Sequence, residues 1–355
     1  MTGPAVKSAT RPVPIIGIMG AGAIGLYVGG MLAQGGAQVV FAARGRTLEA
    51  LCRGLAVSRY DGFKAELKPE HYRTGSAHAL ASCDIVLFCT KSGDTESAAR
   101  ELAGMLGPGA TVISLQNGVG NLDILKSLLP DHEIVAGTVP FNVVRLSPNA
   151  VHCSMEGPVL VGACGASAVL AELARGSGLK LQVRDDLEAV QWGKLLLNLN
   201  NGLNVISGLP LRRQFADPGY RTVLAMAMDE LLAALDAAGI TAVGATRTNP
   251  RLIPKILRLP TWLFRVVARQ QLKIDDTARS SSWDDLQAGR EPETRFLNGA
   301  VCALAQAHGR TAPVNALVCR LVDEAFAVKA SPEMPGDELL ALAQNEAGRP
   351  DSMDF

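Results

Sequence analysis

The fold is decided between Pro14 and Ala43, in the stretch PIIGIMGAGAIGLYVGGMLAQGGAQVVFAA. Pro14 to Met19 is a short, Ile-rich apolar run, the pattern of a parallel strand buried on both faces. Ala23 to Gln34 reads as a helix that stops at Gly35 and Gly36, and Gln38 to Ala43 as the next strand. Between the first strand and the helix stands Gly20-Ala21-Gly22-Ala23-Ile24-Gly25. A GxGxxG run alone is a weak signal. Placed after a strand and opening a helix, it has the context its mechanism needs. Gly20 makes the tight turn, Gly22 lets the backbone approach a pyrophosphate, and Gly25 lets helix and strand pack closely. The helix N-terminus adds N–H groups and the positive end of a dipole. A glycine-rich turn that binds nothing is the structural alternative.

Working outward, strands are expected at Asp84–Cys89, Ala110–Leu115 and Glu133–Gly137, with a helical stretch from Asp94 to Leu106. Strands alternating with helices predict a doubly wound parallel sheet. From Thr138 to Gly162 short alternating runs with turn residues predict antiparallel additions at the sheet's edge. From Asp186 onward the chain reads as helices, over 188–206, 220–238, 254–271, 293–307 and 314–329. An α/β domain over 14–185 therefore precedes an all-α domain over 186–330, with 1–13 and 331–355 expected as loose tails. The length of 355 residues agrees with two domains, since one core rarely organises more than roughly 250–300.

Composition excludes several classes. With 34 basic and 34 acidic residues the net charge is zero, which argues against a nucleic-acid partner. The 48% hydrophobic content rules out a disordered chain. Seven cysteines without a CxxC, several inside apolar runs, read as reduced thiols rather than disulfides or a zinc site, and the five histidines show no ligand spacing, so no metal is expected. No export signal and no membrane span are visible, so a cytoplasmic location is expected.

Four further places could carry chemistry. Arg44, with Arg46 beside it, follows the second strand where an NAD-binding domain places an acid for the ribose 2′-hydroxyl. A guanidinium there suits a 2′-phosphate and favours NADP(H), the alternative being two solvated arginines. Lys91 and Asn117 stand at the C-terminal ends of strands, the edge where such sheets bind ligands; Asn117-Gly118 is equally a plain turn dipeptide. In Gln191–Gly208 (QWGKLLLNLNNGLNVISG), Lys194, Asn198 and Asn201 share one face of a helix that is otherwise leucine. A buried polar stripe must find partners, either a substrate with several oxygens or a structural network. A lysine in it is desolvated, and its pKa falls toward working pH. Glu293 follows Pro292, and taken alone reads as an acid stabilising a helix start. Ser280, Ser281 and Ser282 read as loop or cap residues.

On these residues the chain resembles the ketopantoate reductase family over roughly Ile15 to Val328. The likeness rests on GIMGAGAIG, CTK at Lys91, SLQNGVGN at Asn117, WGKLLLN at Lys194, SSSWDDL at Ser281, and PETRFLNG leading to HGRTAPVN. The resemblance implies a Rossmann-type domain, a parallel sheet with antiparallel edge strands. An all-α domain like the C-terminal domain of 6-phosphogluconate dehydrogenase follows, with substrate bound in the cleft between them. It implies NADPH-dependent reduction of 2-dehydropantoate to pantoate, for pantothenate and coenzyme A synthesis. The family's catalytic lysine falls on Lys194 and its substrate-binding acid on Glu293. Its serine and aspartate fall on Ser281 and Asp285, and its asparagines on Asn117 and Asn198, with Asn201 beside them. NADPH/NADP+ is expected on Gly20, Ala21, Gly22, Ala23, Ile24, Gly25, Arg44, Lys91 and Asn117. The expected partner is a small 2-oxoacid, and the sequence is compatible with a homodimer. Two departures stand out. Gly202 takes the place of a second asparagine and is expected to reshape the substrate pocket. The basic, apolar stretch 249–276 is longer than in compact members and reads as an added helix on the core or a dimer partner, with a lid or membrane-surface role as the alternative. A paralogous reductase of another 2-oxoacid and a non-catalytic NADPH-binding module are the competing functional readings.

Overall fold

The computed structural model describes residues 13–244, 249–269 and 275–348. Contacts group the chain into two compact units, Met1–Thr90 with Glu96–Gln116 and Leu125–Arg184, and Lys91–Thr95 with Asn117–Ile124 and Asp185–Phe355.

In the first unit the strands are β1 (Ile15–Met19), β2 (Gln38–Ala42), β3 (Leu55–Arg59), β4 (Lys64–Leu67), β5 (Arg73–Gly75), β6 (Ile85–Phe88), β7 (Thr111–Ser114), β8 (Glu133–Thr138), β9 (Val143–Ser147), β10 (Ala150–Cys153), β11 (Val159–Gly162) and β12 (Leu181–Arg184). Eight form one sheet in the order β12-β11-β8-β7-β6-β1-β2-β5. Its pairs are parallel except β8 with β11, so the predicted sheet is present with one antiparallel junction. Every residue of β6 and β7 is buried, as two covered faces require.

One expectation for this unit needs correcting. β9 and β10 do not extend the large sheet; they join β3 and β4, which the sequence reading left unassigned, in a separate sheet of order β4-β3-β10-β9. The helix Ala23–Gln34 packs on β1 and β2 and also on β3, β4, β9 and β10. A helix between two sheets has no solvent face, and Gly25 through Ala33 are all buried.

The second unit is helical. The expected helix 188–206 is two, Leu187–Asn198 and Asn200–Ser207, yet Leu199 keeps helical angles (φ −56°, ψ −25°), so the chain continues in nearly one direction. Pro260 divides the expected helix 254–271 into Ile253–Leu257 and Thr261–Val267. The helix expected from Glu293 starts at Asn298, after a 3₁₀ turn at Thr294–Phe296. Pro218–Ala237 runs through the middle of the bundle and packs against Ile253–Leu257, Asn298–Ala307 and Gly336–Ala347.

That last helix overturns the expected loose C-terminal tail. Leu339 and Ala343 are fully buried. Pro335 stands at its N-cap and Gly348 at its C-cap. Within 249–276, Arg221 explains the packing of the described part. Its guanidinium, only 1% exposed, donates to the carbonyls of Leu257, Phe215 and Leu259 and to Thr261 Oγ1, and stacks on Phe264. The described part of the stretch is thereby pinned to the core of its own unit. The expected tail residues 1–12 and 349–355, and residues 270–274, lie outside the described residues.

Candidate functional site

The first unit carries the glycine loop. Gly20 has φ +99°, and a Cβ there would stand 2.7 Å from the Thr90 nitrogen, so only glycine fits this turn against the end of β6. At Gly22 the opposite holds: a Cβ would meet nothing within 4 Å. Gly22 is also the N-cap of Ala23–Gln34, and it brings no side-chain acceptor to the first helical N–H groups. An open, glycine-floored helix start is the cradle a dinucleotide pyrophosphate needs. Arg44 caps the start of the helix Gly45–Leu51 with extended backbone, and its guanidinium makes an exposed ion pair with Glu101.

The second unit gathers most of the remaining predicted residues. Its lysine sits on Leu187–Asn198. Gly193, one residue earlier, allows this helix to meet the 241–243 segment, since a Cβ there would stand 1.9 Å from the Val243 oxygen. Lys194 Nζ donates to Asn117 Oδ1 at 2.7 Å. Burial of its ammonium pulls its pKa down to about 8, against the opposing pull of Glu293's charge. Asn198 lies one turn on, half-buried.

Asn117 is held from behind. Its carbonyl accepts from Ser92 Oγ at 3.0 Å and from Asn121 Nδ2 at 2.9 Å, and Asn121 Oδ1 accepts from Thr95 Oγ1 at 2.9 Å. Ser92, Thr95 and Asn121 are buried. Sequence reading named none of these three. The turn reading of Asn117-Gly118 was half of the answer: the turn exists, and Val119 N–H next in line donates to the Phe296 carbonyl.

Two carboxylates complete the cluster. Glu293 is 5% exposed; one oxygen accepts from the Ser92 N–H at 3.1 Å, the other from Lys91 Nζ at 3.5 Å. It therefore does not stabilise its own helix start, because the 3₁₀ turn that follows it carries the side chain to Ser92. Asp285 Oδ2 accepts from Lys91 Nζ at 2.8 Å, and Asp285 Oδ1 from Arg290 at 2.7 Å. Burial alone would lower the Lys91 pKa, but Glu293's charge and the Asp285 hydrogen bond outweigh it and hold it above the usual lysine value. Lys91, expected on the cofactor, thus stands between two acids.

Arg290 is the other residue the sequence reading missed, though Gly289 signals it. The helix Ser281–Gln287 ends with Gly289 at φ +63°, and the Arg290 N–H donates back to the Asp285 carbonyl while the Gly289 N–H donates to that of Leu286. This Schellman turn reverses the chain and returns the Arg290 side chain to Asp285.

The asparagine stripe divides in two. Asn200 and Asn204 are structural: Gln214 donates to Asn200 Oδ1, Asn204 donates to Gln214 Oε1, and Asn204 Oδ1 accepts from the Ser280 N–H. Asn201 reaches the exposed Ser281 at 3.5 Å. Ser280, not Ser281, caps the helix, accepting from the Trp283 N–H. Gly202 does not shape a pocket as expected. A Cβ there would stand 2.6 Å from Val318, so glycine lets Asn200–Ser207 approach Pro313–Val328. Among the described residues no group of side chains could hold a metal, and no helix is long and apolar enough to cross a membrane.

The parallel sheet with its glycine-floored helix start has the form of a dinucleotide-binding domain, and a helical bundle follows it in the chain. Residues 16–165 match the family model described as ketopantoate reductase PanE/ApbA, and residues 186–325 match its C-terminal counterpart. The chain belongs to the ketopantoate reductase family, whose members are NAD(P)-dependent oxidoreductases. It is 30% identical over 312 residues to the 2-dehydropantoate 2-reductase of Archaeoglobus fulgidus, covering 86% of this chain and 95% of that one. Among solved structures, the PanE/ApbA family ketopantoate reductase of Ralstonia eutropha JMP134 aligns with a TM-score of 0.77 at 30% identity, over 89% of this chain and 99% of that one. D-mandelate dehydrogenase, solved with NADH and anilino(oxo)acetate, shares the fold with a TM-score of 0.75 at 20% identity, over 89% of this chain and 99% of that one.

Proposed function

We propose that the protein reduces 2-dehydropantoate to pantoate with NADPH, Lys194 acting as general acid. The observation that carries this reading is the ammonium of Lys194, held on Asn117 Oδ1 at 2.7 Å and pulled down to about 8 by burial. An acid that must give up a proton near neutral pH needs a proton affinity in that range, and an ordinary lysine lies well above it. The relatives, 2-dehydropantoate 2-reductases, supply the substrate.

Gly20 to Gly25 and the N–H groups of Ala23–Gln34 would hold the pyrophosphate, and Arg44 would exchange its exposed Glu101 for the 2′-phosphate. NADPH, when bound, supplies the hydride for the keto carbon. Lys194 hydrogen-bonds to the keto oxygen and gives it a proton as negative charge gathers there. Asn117 aims the ammonium. Glu293 accepts from a substrate hydroxyl and keeps a negative charge near Lys194. Asn198, Asn201 and Ser281 hold the remaining hydroxyl and carboxylate oxygens, which fixes the reacting distance.

The test is oxidation of NADPH followed by absorbance, with 2-dehydropantoate as substrate and NADH in parallel. Turnover should favour NADPH, and Lys194→Ala should lower kcat by about 10²–10⁴-fold. A variant that keeps parental turnover removes Lys194 from the chemistry. Nucleotide binding without turnover of this substrate moves the assignment to another 2-oxoacid.

A further inference from the structure

Arg290, Asp285, Lys91 and Glu293 form one chain of alternating charge. Arg290 holds one oxygen of Asp285 at 2.7 Å, and Lys91 holds the other at 2.8 Å while reaching Glu293 at 3.5 Å. The two ends differ in environment. The Arg290 side chain is 55% exposed, whereas the Asp285 side chain is 2% exposed and the Glu293 side chain 6%. A buried carboxylate with a single cation would claim that cation entirely. Here Asp285 has two, so Lys91 is shared with Glu293. The Schellman turn at Gly289 fixes this arrangement, because its backbone delivers Arg290 to the same aspartate.

We propose that Arg290 is a positioning residue for proton transfer: by occupying one oxygen of Asp285 it leaves Lys91 shared with Glu293, and so sets how much of Glu293's charge reaches Lys194. The inference rests on Lys194 being the acid of the proposed reaction. Glu293 is the charge that acts directly on Lys194. Lys91, Asp285, Arg290 and the neighbouring Asp284 are the charged groups behind it. When Arg290 loses its charge, Lys91 is drawn onto Asp285, Glu293 is less neutralised, and the ammonium of Lys194 holds its proton to higher pH. The direct loss of a nearby positive charge acts in the same direction.

The experiment compares the parent, Arg290→Gln, Arg290→Met and Arg290→Lys. One measurement is the pH profile of kcat for NADPH-dependent reduction. The other, on the nucleotide-free chain, is an NMR titration of ¹³C-methylated lysines, with the Lys194 signal assigned by its loss in Lys194→Ala. Normalised to the rate near pH 6.5, Arg290→Gln and Arg290→Met should keep about three times more activity at pH 9 than the parent, with the Lys194 titration moved upward. Arg290→Lys should return both to the parental position, which a purely structural role for the side chain does not predict. Charge-removing variants whose Lys194 titration stays at the parental position overturn the proposal. A titration that moves while the kinetic profile does not removes Lys194 from the acid role and overturns the proton-transfer role of Arg290 with it, leaving only its electrostatic hold on the Lys194 ammonium.

Discussion

At the scale of single residues, Lys194 is an ammonium out of water whose neighbouring negative charge is shared with another lysine. Burial wins, and its pKa falls to about 8. The acid role needs the protonated form, which predominates below that value. The rate of keto reduction should therefore be level on the acid side and fall about tenfold per unit as pH rises beyond about 8. A pH profile of kcat at saturating substrate checks this; a rate that climbs through that range would mean Lys194 acts as a base. The sequence made this residue legible because a lysine among leucines cannot be well solvated. It did not reveal Ser92, Thr95 and Asn121, whose hydrogen bonds hold the Asn117 loop, because small polar residues in loops carry no periodic pattern. The asparagines show the same limit. Four asparagines among leucines demand partners, but Asn200 and Asn204 found theirs in Gln214, 14 and 10 residues on, and spacing cannot say which partner is protein and which is ligand.

At the scale of the element, the glycine loop separates two kinds of glycine that a motif writes alike. Gly20→Ala puts a Cβ 2.7 Å from the Thr90 nitrogen at a φ of +99°, so the turn must distort. It should cost about 2 kcal/mol or more by urea unfolding. Gly22→Ala meets nothing within 4 Å, and its melting temperature should match the parent's. The same methyl would fill the floor of the helix start and weaken NADPH binding about tenfold or more, as read by calorimetry. Equal nucleotide affinity in Gly22→Ala would mean that the nucleotide does not lie on this helix start. The strand–loop–helix order around this loop was legible because buried strands and their glycine punctuation are local signals. β3 and β5 were not, because residues 55–75 alternate weakly and these two strands take their sheet positions from distant partners, β10 for β3 and β2 for β5; β4 pairs only with β3, its neighbour in the chain, and that hairpin follows β3 into the smaller sheet.

At the scale of the whole molecule, the C-terminal helix is part of the bundle. Leu339 and Ala343 are buried, and Tyr220 on the central helix donates its hydroxyl to the Met334 carbonyl at 2.7 Å. A chain stopped after Ala330 exposes that surface and should lose roughly 3 kcal/mol or more in urea unfolding. A truncated chain as stable as the parent would mean the helix adds nothing. The second unit's membership has a different consequence. Lys194, Asp285 and Glu293 come from its long C-terminal stretch, but Lys91 and Asn117 arrive on two short passages, Lys91–Thr95 and Asn117–Ile124, inserted between pieces of the first unit. A crossover near residue 185 between two related genes would join one parent's ammonium to the other parent's amide, and one parent's acids to the other's cation. Such hybrids draw each constellation from both parents, so the boundary that divides the sequence into domains is not the boundary of the site.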